Sequence, residues 1–184
     1  PLTIKPDVGH VVIIAGGPAA GKTSFAINLM LHAKHIDWLY MSYELTGADF
    51  AETVCRIGNI TDITNPEQRA RFNSMVRHIA TIDDTVIKVN DLESVVDMIK
   101  ERNGLNIKGV VIDYLQHAPA HGSNATEKAI AIARALRSLS KKKRVAVIAL
   151  SQVPKELAGD SNEPLPMSAP KDSGEITSAA DIQL

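Results

Sequence analysis

The sequence predicts an α/β fold built on a doubly wound, mostly parallel β-sheet. Two observations carry this. Short, near-continuous aliphatic runs, typical of strands covered on both faces, alternate with segments of helical periodicity along the chain. Glycines or polar residues stand where those runs stop, so the chain turns at the carboxyl end of each strand and returns through a helix. Such connections are right-handed βαβ crossovers.

The elements follow in order. Residues 10–15 (HVVIIA) form a buried strand that stops at glycines, and a helix follows over about 22–33. Residues 36–42 (IDWLYMS) form a second strand. Thr46 with Asp49 three residues on starts a capped helix, in which Phe50, Val54 and Ile57 share a face. Asn65-Pro66-Glu67-Gln68 is a second start signal: a cap residue, proline at the first helical position and a Gln closing the box. A short strand is expected at 86–89, preceded by a solvated Asp83-Asp84 turn, and then a helix from Asp91 to about Arg102 that stops at Gly104. Residues 107–112 are β-branched and apolar, hence a strand. Asn124 caps a long helix with Ala129, Ile132, Leu136 and Leu139 on one face, and residues 145–150 (VAVIAL) make the next buried strand. No internal repeat is visible.

Bulk properties narrow the function classes. A 184-residue chain with 45% hydrophobic content suits one domain with a sizeable core, and a net charge of -1 advertises no nucleic-acid or membrane partner. The single cysteine, Cys55, rules out an internal disulfide framework and a cysteine-based zinc site. It is expected to be a small buried apolar residue of a protein kept in a reducing cytoplasm. No apolar run reaches the ~18 residues of a membrane span. The abrupt start and the strand-like end at Asp181-Ile182-Gln183-Leu184 suggest a single domain, 1–184, trimmed from a longer polypeptide.

The chemistry-bearing motif is Gly16-Gly17-Pro18-Ala19-Ala20-Gly21-Lys22-Thr23, the pattern G-x-x-x-x-G-K-[ST] between a predicted strand and a predicted helix. The glycines let backbone N–H groups curl toward phosphate oxygens, and the helix that opens near Lys22 and runs on through Ser24 adds its positive end. Lys22 is expected on the β- and γ-phosphates of ATP, and the Thr23 hydroxyl on Mg²⁺. Asp113 ends the strand V-V-I-D, where a carboxylate serves the metal's water shell. Glu44 follows the second strand and is placed to orient and deprotonate water. Gln152 follows the strand at 145–150, where a neutral donor senses the γ-phosphate. Four strand ends thus converge on one crevice.

At these residues the chain resembles the RecA-like carboxyl-terminal domain of DnaB-type replicative helicases. The resemblance is carried by G-x-P-x-x-G-K-T followed by Ser24-Phe25-Ala26, by Tyr40-Met41-Ser42-Tyr43-Glu44-Leu45, by Val111-Ile112-Asp113-Tyr114-Leu115-Gln116, by Ala149-Leu150-Ser151-Gln152, and by the stretch from Lys171 to Ile182. It implies a RecA-like P-loop NTPase fold and an ATP-driven, hexameric motor that translocates on single-stranded DNA and unwinds duplex. Pore-lining loops would run from His117 to Thr126 and from Val153 to Glu175, with a primase or loader as a further partner. The family usually has larger residues where this chain has Gly17 and Ala20, and its arginine-glutamate pair is here Lys171-Asp172. Its trans-acting basic fingers are expected beyond Leu184, so the isolated chain is expected to bind ATP and hydrolyse it poorly. A RecA/RadA or KaiC-like ATPase of recombination or regulation is the alternative. A small-molecule kinase is a more distant one, because no arginine-bearing lid stands in 153–175.

The expected pore loops are not basic: 153–175 sets Lys155 and Lys171 against five acidic residues, so a single subunit should bind DNA weakly. Lys141-Lys142-Lys143-Arg144 reads as solvated cations at a helix carboxyl end. His32 and His35 read as surface residues, His117 and His121 as loop residues. Asp181 reads either as a group behind the nucleotide or as an ordinary strand-end carboxylate.

Overall fold

The computed structural model describes residues 9–153 and 179–184. Among these described residues six strands and five α-helices follow one another as β1 (Val11–Gly16), α1 (Lys22–His32), β2 (Asp37–Ser42), α2 (Gly47–Ile57), α3 (Pro66–Val76), β3 (Ile79–Ile82), α4 (Leu92–Asn103), β4 (Ile107–Asp113), α5 (Ala125–Lys143), β5 (Ala146–Gln152) and β6 (Ile182–Gln183). The sheet order is β3-β2-β4-β5-β1-β6, and every pairing is parallel.

Strand alternation divides the core in two. Val11, Ile13, Leu39, Met41, Val110, Ile112, Val147 and Ala149 face one side, where α4 and α5 cover them. Val12, Ile14, Trp38, Tyr40, Val111, Ile148 and Leu150 face the other, under α1 and α2. The aliphatic runs are unbroken because both faces are buried. In β4, Gly109 stands in register with Trp38, and a Cβ there would collide with the indole ring.

The helix starts obey their capping chemistry. The Thr46 hydroxyl accepts from the Asp49 N–H, and Asp49 reaches back to the Thr46 N–H. Asn65 caps α3 through the N–H groups of Glu67 and Gln68, with Pro66 first in the helix, and Asn124 caps α5 through Glu127 N–H. Gln68 does not close a box. Its Oε1 instead accepts from Thr61 N–H and Asp62 N–H, which stitches the preceding loop to α3.

Several expectations are corrected. The strand expected at 86–89 is absent: Val86 is 78% exposed in a turn set by Asp84 Oδ1, and Val89 opens a 3-10 turn into α4. The strand of this region is β3, which pairs with β2 from Trp38–Ile79 to Met41–Ile82 and forms a sheet edge. Asp83 and Asp84 therefore follow a strand, and Asp83 Oδ2 accepts from Gly47 N–H at the head of α2 (2.7 Å). Cys55 is half-buried. Two of the basic residues ending α5 are paired: Lys142 meets Glu93 (3.3 Å) and Lys143 meets Asp97 (2.6 Å), tying α5 to α4. Asp181 lies at the amino end of β1, the rim opposite the glycine loop. There its Oδ2 accepts from Val11 N–H (2.8 Å) and its Oδ1 pairs with Arg137 (2.7 Å).

Two outcomes test this packing. Gly109→Ala should cost about 1–3 kcal/mol in urea unfolding, because the Trp38 ring must leave its place. Partial burial opposes the charge of Asp181, but the Val11 N–H, Arg137 and His10 outweigh it and hold this carboxyl below its ordinary range. A lowered folded-state value contributes stability that is complete at neutral pH and fades as pH falls below about 4. Asp181→Asn should therefore lose on the order of 1 kcal/mol at pH 7, the pair being partly exposed, and the gap from wild type should shrink by pH 3.

Candidate functional site

β1 ends at Gly16, and the chain curls through 17–21 into α1. Gly21 precedes the helix at φ 84°, ψ 13°, a left-handed conformation in which only glycine is unstrained. The first turn of α1 carries no acidic residue, so no side chain of that turn neutralises the positive helix end. Lys22 is the first helical residue, and its Nζ donates to the carbonyls of Gly16 (2.9 Å) and Gly17 (2.8 Å). Burial lowers its pKa from the ordinary lysine range, while the charges of Asp113 and Glu44 oppose that shift.

A cavity of about 340 Å³ opens above this loop, lined by Pro18, Ala19, Ala20, Gly21, Lys22, Thr23, Ser24, Glu44, Asp113, Tyr114 and Gln152. Its size falls within the range of ligand pockets, about 300–1,000 Å³. Every sequence-predicted site residue except Gly16 and Gly17 lines it. Those two stand behind the loop and accept from Lys22.

Asp113 ends β4, 1% exposed, in register with Ser42 at the end of β2. Its Oδ2 accepts from the Tyr40 hydroxyl at 2.7 Å, its main-chain carbonyl accepts from Tyr43 N–H, and the Asp113–Tyr114 peptide is cis. Glu44 lies two residues beyond β2. The buried Ser42 Oγ accepts from Leu45 N–H (2.8 Å) and Glu44 N–H (3.3 Å), bending the strand end so that the Glu44 side chain stands exposed at the cavity. The capped start of α2 holds the far side of that bend.

Gln152 ends β5 beside Gly16, and Val153 N–H donates to Gly16 carbonyl. Gln116 brackets the Gln152 backbone: its Nε2 donates to Gln152 carbonyl (3.0 Å) and Ser151 Oγ (2.9 Å), and its Oε1 accepts from Gln152 N–H (3.2 Å). The His117 ring packs on Tyr114 with centroids 4.3 Å apart and its Nε2 3.0 Å from the Tyr114 hydroxyl. Residues 117–124 run from there into α5, so the first expected pore loop is in part the opening turn of that helix. Of the second, 153–175, only Val153 is among the described residues.

The donor set fits Mg²⁺. A hydroxyl and a carboxylate, Thr23 and Asp113, line the same cavity, and both are hard oxygen donors. Among the described residues there is no cluster of three or more His, Cys, Asp or Glu that could cage a metal. Among the same residues no helix is long and apolar enough to cross a membrane.

Tyr40, Tyr114 and Gln116 stand at the site without a place in the sequence reading of it. Tyr40 is legible in part: it shares strand parity with Ser42 and so points toward the same face. Tyr114 and Gln116 reach their places through a turn whose course only the fold reveals.

Comparison with known proteins agrees with this geometry. The replicative DNA helicase DnaB of Geobacillus stearothermophilus is 29% identical over 190 residues, covering 94% of this chain and 41% of that protein. DnaB of Buchnera aphidicola subsp. Acyrthosiphon pisum (strain APS) is 30% identical over 194 residues, with coverage of 94% and 41%. A probable plasmid replicative DNA helicase of Chlamydia psittaci is 28% identical over 196 residues, with coverage of 96% and 42%. The chain thus spans less than half the length of these relatives. The fold is RecA-like: it superimposes on a solved ATPase domain with a TM-score of 0.80 at 23% identity, covering 98% of this chain and 69% of that one. It also superimposes on a DnaB-like replicative helicase, described with its interactions with primase, at 0.79 and 24% identity, covering 97% and 46%. The recombination or regulatory alternative is not favoured by these likenesses. The family profile described as DnaB-like helicase C terminal domain matches residues 7–184, and the chain belongs to that family.

Proposed function

We propose that this chain is the single ATPase domain of a longer replicative DNA helicase, a cytoplasmic motor that converts ATP hydrolysis into movement along single-stranded DNA. The observation that carries this reading is the shared cavity: Lys22, Thr23, Glu44, Asp113 and Gln152 come from four strand ends and line one pocket.

The residues divide the work. The loop 16–23 and the positive end of α1 bind the triphosphate, with Lys22 against its β- and γ-phosphates. Thr23 and Asp113 hold Mg²⁺, which supplies neutralisation of charge on the phosphate oxygens. Glu44, exposed at the cavity, orients the attacking water and takes its proton. Gln152 senses the γ-phosphate and passes its presence along the backbone to the segment 153–175. That segment and 117–126 contact the DNA backbone, and six subunits supply by avidity what one weakly basic surface lacks. A primase or loader completes the assembly.

Two variants test the reading in the full-length protein. Lys22→Ala should weaken binding of a fluorescent ATP analogue by about 100-fold or more, since a charge-assisted contact to phosphate is lost from a desolvated site. Glu44→Gln should keep that binding and lose hydrolysis by about 10²–10⁴-fold, the usual worth of a general base. Unchanged nucleotide affinity in Lys22→Ala would overturn the proposed function.

A further inference from the structure

Tyr40 has no part in the chemistry just described, yet its hydroxyl sits against that chemistry. It is among the largest fully buried side chains, 1% exposed, and its ring packs on Phe50 of α2 with centroids 5.2 Å apart. Packing alone would be served as well by phenylalanine. A phenolic O–H in such a place must find a partner, and here it donates to Asp113 Oδ2 at 2.7 Å. Ser42, two residues on, lies on the same face of β2, in register with Asp113. Its own Oγ accepts from Leu45 N–H (2.8 Å) and Glu44 N–H (3.3 Å). Between Tyr40 and the Glu44 turn, Tyr43 N–H donates to the Asp113 main-chain carbonyl (2.7 Å), so the end of β2 is joined to Asp113 through both side chain and backbone. Cross-strand register keeps these contacts short, with Tyr40 beside Val111 and Ser42 beside Asp113.

We propose that Tyr40 and Ser42 are positioning residues that lock the metal-side carboxylate of Asp113 and the turn bearing Glu44 into one rigid unit. The inference rests on the ATPase reading of this cavity and deepens it. Tyr40 ties Oδ2 so that the remaining oxygen of Asp113 serves the metal's water shell, and Ser42 holds the bend from which Glu44 projects. Groups behind a metal ligand that orient it are typically worth about 10–100-fold in metal affinity.

The test uses Tyr40→Phe, Ser42→Ala and Ser42→Thr in the full-length protein. Binding of a fluorescent ATP analogue is titrated with Mg²⁺ and repeated in EDTA, and ATP turnover and thermal unfolding are followed alongside. Tyr40→Phe should keep its EDTA affinity and need about 10-fold more Mg²⁺ for half-maximal binding. Ser42→Ala should keep the wild-type Mg²⁺ requirement within about twofold and lose about 10-fold in kcat with KM unchanged, the worth of one hydrogen bond of roughly 1.4 kcal/mol. Ser42→Thr, which keeps the hydroxyl, should restore turnover. A wild-type Mg²⁺ requirement in Tyr40→Phe, or an equal loss with and without Mg²⁺, assigns the tyrosine to packing and overturns the proposal. Should Tyr40→Phe fail to fold, equal turnover of Ser42→Ala and Ser42→Thr overturns it instead. Wild-type protein that binds no nucleotide in either condition removes the ATPase reading itself, which separates the two failures.

Discussion

Parallel pairing of β1 with β5 sets Gly16 beside Gln152, and pairing of β2 with β4 sets Ser42 beside Asp113. Because β4 also pairs with β5, four strands end at one rim, where register places Asp113 and Gln152 beside the turns that lead to Lys22 and Glu44. A slip of one residue in the β2–β4 pairing would turn Asp113 or Ser42 to the opposite face, where α4 and α5 pack. The same alternation that fills the two halves of the core thus aims the polar residues at the strand ends. Core packing and site geometry are one constraint.

Electrostatic balance at the rim follows from that arrangement. A half-buried ammonium, Lys22, faces two carboxylates. Its hydrogen bonds to the carbonyls of Gly16 and Gly17 keep the charge solvated by the loop itself. Asp113 is almost fully buried, and such a group requires partners; Tyr40 supplies one. The Gln152 backbone is bracketed by Gln116, so the segment after β4 and the end of β5 are held together by one side-chain amide. His78 breaks the pattern: its Nε2 lies 2.9 Å from Met30 carbonyl, while its buried Nδ1 has no partner among the described residues.

Away from the rim, ion pairs take structural roles that a reading of local charge undervalues. Lys142 and Lys143 look like solvated cations at a helix end, yet they reach Glu93 and Asp97 on α4, 49 and 46 residues away in sequence. Asp181 closes the opposite rim by bracketing Val11 and holding Arg137, so a strand-end carboxylate that resembles part of the site belongs to the sheet edge.

Local chemistry made much of this molecule legible in its sequence. Capping at Thr46, Asn65 and Asn124 depends on residues within a few positions of each helix start. The glycine loop, its lysine and its hydroxyl likewise act over eight consecutive residues. Buried strands announce themselves by composition because both faces must be apolar. The edge strand β3 did not, since Ile79–Ile82 is only partly buried and pairs along one edge alone, with β2, some 40 residues earlier. The same holds for the Tyr40–Asp113 bond, the Gln116 bracket and the place of Asp181: each joins residues from 36 to 170 positions apart. Short-range patterns therefore determined most of the elements, though not β3, and the phosphate-binding loop. Tertiary folding alone decided which side chains meet, because a hydrogen bond or an ion pair is settled by distances of about 3 Å that strand order and register create.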